Sequence, residues 1–317
     1  MYITGDRRGL ETRIATDVFT FAMTHLMRMG KGQKKVDLFL YSTGGITMAG
    51  YGLVNLIREF CDSFGVIIPF KAHSTATLIA LGADEIVMTR MGQLSPIDPS
   101  VISPLGPQIQ IPGQLGAAQP VPVNVEDVIS YLDLARRELK IEDQDLLARV
   151  FDRLSAAVHP LTLGSVNRIR EQTTFLANTL LKYHMKDPDR AKEIVEVLTR
   201  GRFSHEYLIG RKEAKDILGL NVIGNEKIEE LVVALFSEYD NILELSNPYN
   251  PEAVLGSEDS ATVDFNRAIV ESDNLTHIFR SKKAIERVTL TPPQVPAPMT
   301  TTLERVLEDK WVEDDGI

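Results

Sequence analysis

The chain has 317 residues, of which 44% are hydrophobic and 25% charged, and its formal net charge is −10 at pH 7. This is an ordinary globular composition, and the acidic balance argues against nucleic acid or anionic lipid as the main partner, because those ligands require clustered Lys and Arg. No apolar run reaches the roughly 18 residues that a membrane helix needs, so we expect no membrane span.

The ends and the cysteine content bear on the compartment. The N-terminal residues lack the apolar core of a secretory signal, and Cys61 is the one cysteine in the sequence. A single cysteine excludes an intrachain disulfide and suits a reducing environment. We therefore expect a cytoplasmic protein in which Cys61, at the end of an amphipathic helix, has a packing role.

The first 100 residues alternate between helical and strand-like patterns. Helical stretches end at glycine or at short polar turns, and the apolar runs between them have the length of strands. The predicted elements are a helix over 16–29, a strand over 36–41, a helix over 48–60, a strand over 66–69, a helix over 75–81 and a strand over 85–88. This alternation predicts an α/β fold with a parallel sheet and right-handed crossovers.

The middle of the chain changes character twice. Residues 101–124 interleave proline and glycine and predict a long loop, either a mobile segment or a cover over a site. Helical periodicity follows over about 125–200, which indicates a helical block. Its apolar stripe is more than one small sheet should cover, which favours association between copies.

The last third combines short elements with a polar end. We expect extended chain over 204–208, followed by a short helix, an edge strand over 221–223 and an amphipathic helix over 226–239. Residues 251–317 carry 13 acidic and 7 basic side chains. We therefore predict one folded domain over residues 1–246 and an extended, acidic C-terminal tail over 247–317, solvated or bound to a partner.

Two segments carry the chemistry. An apolar run ends in the turn Gly44-Gly45, and Ser74 opens the predicted helix over 75–81. Since the carboxyl ends of parallel strands meet at one sheet edge, we expect the turn to lie beside Ser74. The predicted oxyanion hole comprises Gly44, Gly45 and Thr75, with the backbone N–H groups of Gly45 and Thr75 as donors, while Ser74 acts as nucleophile. The alternative is that Ser74 only caps its helix.

Cofactor chemistry has little support in the sequence. The six histidines show no paired i, i+4 spacing and have no neighbouring cysteine, so we predict no metal site. Glycine patterns that bind nucleotides are missing as well, so we predict no cofactor. Any ATP that the protein needs would come through a separate ATPase partner.

These segments resemble known proteases. Residues 37–50 resemble the Gly-Gly segment of the Clp protease proteolytic subunit, and residues 71–88 with 94–99 resemble the serine dehydrogenase proteinase (SDH) family. That family is related to signal peptide peptidase A within the Clp/crotonase superfamily. The resemblance spans most of residues 1–240 and implies a Clp/crotonase-like spiral of β-β-α units, a homo-oligomer and a nucleophile at Ser74.

The resemblance leaves the general base open. Clp-type enzymes carry a histidine on the loop after the serine helix, where this chain has Asp98, and an aspartate further on, where it has His205. The simplest interpretation is an exchanged triad of Ser74, His205 and Asp98, since a triad is defined by geometry and role. Structural roles are the alternative for both, a turn aspartate for Asp98 and a satisfied histidine for His205.

Other bases are less favoured. Signal peptide peptidases use a Ser-Lys dyad, but the position where some relatives place the lysine holds Asn124 here. A dyad with Lys140 or Lys182 is therefore a minority interpretation. His159 is another candidate, although a helix-boundary role before proline suits it better.

The predicted function is that of a serine peptidase that cleaves protein or peptide substrates through an acyl-enzyme. We expect a homo-oligomer, with room for a separate ATPase or regulatory partner. Two alternatives stay open. One is a crotonase-type enzyme acting on an acyl thioester, and the other is a catalytically inactive oligomeric assembly module.

Overall fold

A computed structural model describes residues 1–110, 118–199, 207–290 and 299–314. The chain divides into two units. The first unit combines residues 1–94 with 209–317, and the second is formed by residues 95–208. The Gly-Gly turn and Ser74 belong to the first unit.

The described residues form fifteen strands and ten α-helices. The strands are β1 (Tyr2–Thr4), β2 (Gln33–Tyr41), β3 (Cys61–Ile68), β4 (Lys71–Ala72), β5 (Glu85–Met88), β6 (Gln93–Leu94), β7 (Ser100–Val101), β8 (Gln108–Gln110), β9 (Ala118–Pro120), β10 (Val123–Asn124), β11 (Ile209–Gly210), β12 (Val222–Ile223), β13 (Ser260–Ser272), β14 (Leu275–Leu290) and β15 (Met299–Glu313). The helices are α1 (Val18–Met29), α2 (Thr47–Arg58), α3 (Thr75–Leu81), α4 (Val125–Asp133), α5 (Gln144–Ala157), α6 (Pro160–Leu181), α7 (Pro188–Thr199), α8 (Arg211–Asp216), α9 (Glu226–Leu243) and α10 (Pro251–Leu255), with a π-helical segment, Leu134–Glu138, after α4.

The first unit is built on an eight-stranded mixed sheet. Its strand order is β12-β5-β3-β2-β1-β13-β14-β15. The neighbours from β12 to β1 run parallel, whereas β13, β14 and β15 are antiparallel to their neighbours. A smaller sheet, in the order β11-β6-β4, lies in the same unit. The prediction of an α/β fold is confirmed at this level, with the parallel part where the alternation of elements indicates it.

Strand β3 begins earlier than its apolar run. It starts at Cys61, which pairs with Gln33 at the beginning of β2, although the run itself starts only at Val66. The polar residues at its start are therefore held by ladder hydrogen bonds rather than by burial. Cys61 thus opens a strand instead of ending a helix, and it is half-buried, so that burial raises the pKa of its thiol.

The prediction of an extended acidic tail from residue 247 is wrong. Strand β13 pairs with β1, and its Ile269 lies opposite Ile3 in the ladder. Both side chains are buried in one core cluster with Ile278 of β14 and with Phe236 and Leu243 of α9. Residues 209–317 accordingly belong to the same unit as residues 1–94, and no unit boundary falls at 246.

The charge of these C-terminal strands has a structural explanation. Side chains alternate between the two faces of a strand, so a polar outer face and a buried inner face give an average composition like that of a solvated segment. Opposite charges also pair across the strands, as Lys283 and Glu304 do with 3.0 Å between Nζ and Oε2. Net charge alone therefore does not distinguish strands β13 to β15, the C-terminal ribbon, from a solvated tail.

The second unit contains the helical block. Helices α4 to α7 lie within the predicted range of 125–200, and Val101, Val123, Val125 and Val166 form a buried cluster. The described part of the predicted loop contains two small antiparallel pairs, β7 with β10 and β8 with β9. The loop prediction is thus replaced there by short strands, because proline is tolerated in edge strands.

We expect the C-terminal strands to contribute to stability as core elements. Replacement Ile278→Ala should lower the free energy of unfolding by about 2–5 kcal/mol, because the side chain is fully buried. The matched replacement Val306→Ala on β15, where the side chain is 52% exposed, should change it by less than about 0.5 kcal/mol. Urea denaturation of both variants measures the difference, and equal small effects would contradict the buried role of β14.

A buried histidine pair joins α1 to the C-terminal strands. His25 Nε2 lies 3.0 Å from His277 Nδ1, and His25 Nδ1 lies 2.7 Å from Ser272 Oγ. Burial, with the neighbouring His277 as a second cause, lowers the pKa of His25 from 6.5 to about 4. Burial also lowers the pKa of His277. The neutral pair is therefore the form that the fold stabilises.

This pair predicts a loss of stability in acid. The folded-state pKa of His25 lies below its unfolded value, so its contribution is present above about pH 6.5 and disappears as the pH falls towards 4. Between pH 7 and pH 4, the wild type should lose up to about 3 kcal/mol more unfolding free energy than His25→Gln. Urea titrations at both pH values test this, and identical pH dependence in the two proteins would refute it.

Candidate active site

The Gly-Gly turn and Ser74 lie against each other. A Cβ atom placed on Gly44 would be 2.8 Å from Ser74 Cβ and 3.3 Å from Ser74 Oγ, so only glycine allows this approach. Backbone hydrogen bonds on either side hold the two segments together, from Ser42 N to Lys71 O (2.9 Å) and from His73 N to Ser42 O (3.0 Å). The residue that follows β2 is therefore paired with β4, and this pairing carries the turn to the serine.

Both glycines of the turn are required by the geometry. Gly44 has φ of 110°, a region that side chains with a Cβ rarely adopt. A Cβ on Gly45 would clash with the backbone of Ile14. Ile14 N donates to Gly44 O (2.8 Å), and Ile46 N donates to Ile14 O (2.8 Å). The segment around Ile14 thus clamps the turn from the side of the preceding chain.

Ser74 has an unusual backbone conformation. Its φ is 52° and its ψ is −113°, and such a conformation costs a residue other than glycine about 1–3 kcal/mol. The half-buried Ser74 precedes α3, whose seven residues are all buried. Within the described part of the chain its side chain makes no capping hydrogen bond to α3. The strain is therefore not explained by a capping role, and strain of this kind is concentrated at functional sites.

Two backbone N–H groups are available near the serine. Thr75 is the first residue of α3, so its N–H has no acceptor inside the helix. Ile14 makes hydrogen bonds with Gly44 and Ile46, the two neighbours of Gly45, and neither bond uses the N–H of Gly45. Among the described residues, no acceptor is bonded to either group. Thr75 also ties the helix to the turn, because its Oγ1 donates to Gly45 O at 2.8 Å.

Gly44 has a different role from Gly45. Its N–H donates to the Oγ of Ser42 at 3.0 Å, so it is not available to a substrate oxygen. Gly44 therefore shapes the turn, whereas the N–H groups of Gly45 and Thr75 are the ones that could donate hydrogen bonds to an oxyanion. Three predicted residues thus divide into two donors and one spacer.

A charged network lies beside the same segments. Lys71 Nζ is 2.6 Å from Asp6 Oδ2, and Tyr41 Oη donates to Asp6 Oδ1 at 2.6 Å. Burial, with Asp6 as the second cause, raises the pKa of the Tyr41 hydroxyl well above its usual value. Asp6 and Lys71 are 65 residues apart, so no local pattern in the sequence could have revealed the pair. Lys71 is thus engaged in an ion pair with Asp6.

The other predicted residues lie in the second unit or outside the described residues. Asp98 is buried, and Asn124 Nδ2 donates to its Oδ2 at 3.0 Å. The same Asn124 caps α4 through its Oδ1. Its place at the start of this helix therefore serves both the helix and the carboxylate. His205 lies outside the described residues.

The less favoured bases have ordinary surroundings. His159 is exposed and caps α6, because its Nδ1 accepts from Leu161 N at 3.2 Å. Lys140 is exposed and follows the π-helical segment with φ of 51°. Both belong to the second unit. The helix-boundary role expected for His159 is the one that its contacts show.

No cluster of three or more His, Cys, Asp or Glu side chains in the described part of the chain could hold a metal ion. None of the described helices combines the length and the apolar character required to cross a bilayer.

Comparisons with known proteins bear on the segment around the turn and the serine. Residues 22–127 match the family model of the ClpP-like SDH-type serine proteinases. Two uncharacterized proteins of Methanocaldococcus jannaschii are similar. MJ0137 is 29% identical over 213 residues, which cover 67% of this chain and 61% of that protein. MJ1495 is 29% identical over 209 residues, which cover 65% of this chain and 59% of that protein.

The match with the relatives is partial, since the chain spans about three fifths of their length. The match with the family model, in contrast, includes the Gly-Gly turn, Ser74, Thr75 and Asp98. Residues 22–127 are thus similar to the ClpP-like SDH-type serine proteinases, and the resemblance found in the sequence is confirmed over this segment.

Proposed function

We propose that the protein is a serine peptidase that cleaves peptide bonds through an acyl-enzyme on Ser74. The observation that carries this function is the strained Ser74 backbone, held against a Gly-Gly turn beside two N–H groups without acceptors among the described residues. The strained backbone of Ser74 costs folding energy, and strain of this kind is concentrated at functional sites. The match of residues 22–127 with the model of a serine proteinase family supports the same chemistry.

The proposed reaction follows from this arrangement. Ser74 Oγ attacks the scissile carbonyl carbon, and the electron pair of the C=O bond moves to the oxygen. The N–H groups of Gly45 and Thr75 donate to that oxyanion, which they stabilise more strongly than the uncharged carbonyl. The proton of Ser74 passes to a base and then to the leaving amine as the C–N bond breaks. The base then takes a proton from water as the water oxygen attacks the acyl carbon. The ester C–O bond breaks, the acid product leaves, and the proton passes to Ser74 Oγ.

For the base we propose His205, with Asp98 orienting its imidazole. The support is the family resemblance together with the state of Asp98, a buried carboxylate with Asn124 as hydrogen-bond partner. His159 and Lys140 are disfavoured because both are exposed, and His159 is engaged as a helix cap.

The assembly belongs to the same proposal. We expect the Clp/crotonase-like spiral of β-β-α units in a cytoplasmic homo-oligomer that acts on proteins or peptides, with a separate ATPase or regulator as partner. Helix α9 supports association, because Ile228, Leu231 and Leu235 follow each other at helical spacing and are 38%, 72% and 40% exposed. Such an apolar stripe is typical of an interface.

Ser74 should be the residue that a fluorophosphonate probe modifies. Labelling should be lost in Ser74→Ala and in Ser74→Gly, and retained in Ser100→Ala, whose serine is exposed on β7. Because glycine tolerates the backbone conformation of residue 74, the Gly variant should unfold with about 1 kcal/mol more free energy than the Ala variant. Mass spectrometry of the labelled peptide and urea denaturation provide the two readouts.

The outcomes separate the candidate functions. Equal labelling of the wild type and Ser74→Ala would contradict the nucleophile assignment. A folded wild type that no probe labels would favour the inactive assembly module. Stabilisation by coenzyme A would favour crotonase-type chemistry on an acyl thioester.

The proposed triad predicts that activity is lost in variants of its members and retained in variants of the less favoured bases. His205→Ala should lower kcat for a peptide substrate by about 10³-fold or more, and Asp98→Asn should do so to a similar extent. His159→Ala and Lys140→Ala should leave kcat within about twofold, because neither is assigned a step. Steady-state kinetics across pH 5–9 measure these effects. Loss of activity in Lys140→Ala alone would point to a Ser-Lys dyad instead.

A further inference from the structure

We propose that two buried hydroxyl groups, on Thr4 and Ser42, set the direction of the Gly45 N–H and are therefore positioning residues for the oxyanion. This inference rests on the proposed function and adds residues to it. Ser42 is fully buried, and Thr4 is 1% exposed. Their hydroxyls contact each other and Gly44, so the proposed effect passes through the turn.

Ser42 uses the full hydrogen-bonding capacity of a hydroxyl. Its Oγ accepts from Gly44 N at 3.0 Å and from Thr4 Oγ1 at 2.6 Å, and it donates to Gly44 O at 3.3 Å. A hydroxyl has one donor and two acceptor sites, so all three are occupied. Because the Thr4 hydroxyl donates a hydrogen bond to Ser42 Oγ, the hydroxyl hydrogen of Ser42 points towards the Gly44 carbonyl.

The Gly44 carbonyl determines where the next N–H points. Gly44 O accepts from Ile14 N at 2.8 Å in addition to the Ser42 hydroxyl. The peptide bond between Gly44 and Gly45 is planar and trans, so its C=O and N–H point in opposite directions. A carbonyl held by two donors therefore fixes the opposite direction for the Gly45 N–H.

The clamp is needed because the turn consists of two glycines. Glycine adopts a wide range of backbone angles, so the peptide between Gly44 and Gly45 could rotate if nothing held it. After such a rotation a carbonyl oxygen would take the place of the N–H, and it would repel a developing oxyanion. A preorganised donor avoids this reorganisation at the moment of reaction.

Burying the hydroxyl of Thr4 costs desolvation energy, which a purely structural role at this position would not require. Thr4 lies in β1, in the interior of the sheet, where valine has the same shape and needs no hydrogen-bond partner. Buried hydroxyl pairs reduce the freedom of the groups they bind rather than add much net stability. A threonine at this position is thus explained by the orientation of the turn.

The experiment separates oxyanion stabilisation from nucleophile reactivity. The full chain is prepared with Cys61→Ala and Ser74→Cys, so that the introduced thiol reacts in two ways. Acylation by p-nitrophenyl acetate passes through an oxyanion, whereas alkylation by iodoacetamide displaces iodide without one. Thr4→Val in this background should slow acylation about tenfold and leave alkylation within about twofold, since a poorly aimed donor loses only part of its effect.

Thr4→Ser is the matched control. It keeps the hydroxyl and removes only a methyl group, so acylation should return to within about twofold of the Thr4 protein. Slowing of both reactions by the same factor in Thr4→Val would show a structural role and overturn the inference. Unchanged acylation in Thr4→Val would overturn it as well.

The proposed function can fail independently in a separate arm. Fluorophosphonate labelling of the otherwise unmodified chain reports on Ser74 itself. If Ser74 is labelled and Thr4→Val does not alter acylation, the peptidase proposal stands and the positioning role falls. If Ser74 is not labelled in the wild type, both fall together.

Discussion

The candidate site depends on one close approach, that of Gly44 to Ser74. With 2.8 Å between the Cβ position of Gly44 and the Cβ of Ser74, any side chain on the turn would push the two segments apart. The strained φ of Ser74 and the left-handed φ of Gly44 are the two halves of this contact. The conformation of Ser74 is unfavourable on its own, and it persists because the surrounding backbone pairing over-determines it.

That pairing is supplied by distant parts of the chain. Ile14 clamps the turn from one side, and the bridge between Ser42 and Ala72 holds it on the other. Strand β1, which carries Thr4, is itself held by β13 through the pairing of Thr4 with Ala268. The C-terminal ribbon therefore supports the turn indirectly, because it covers the edge that β1 would otherwise leave open. Its role in the fold is that of a sheet element and not that of an appendage.

The residues predicted for the site fall in both units. The nucleophile and the N–H donors lie in the unit formed by residues 1–94 and 209–317, whereas Asp98, His159 and Lys140 lie in the unit formed by residues 95–208. The donors come from backbone geometry, which a sheet edge and a helix start provide without particular side chains. The base is a matter of side-chain identity, and its assignment rests on the family resemblance together with the buried state of Asp98.

The sequence by itself determined the local elements and predicted the reactive half of the proposed site. The helix over 75–81 and the strand over 85–88 occur at the predicted residues, because short apolar runs bounded by glycine specify them locally. Glycine at 44 and 45 followed by a serine at a helix start was enough to predict an oxyanion turn and a nucleophile. What only the tertiary structure decided depends on contacts between residues far apart in the chain. The composition of β13 to β15 predicts a solvated tail, and only the pairing of β13 with β1 shows that these strands belong to the sheet. The sequence likewise gives no reason for the hydroxyl of Thr4, because its partner Ser42 lies 38 residues away.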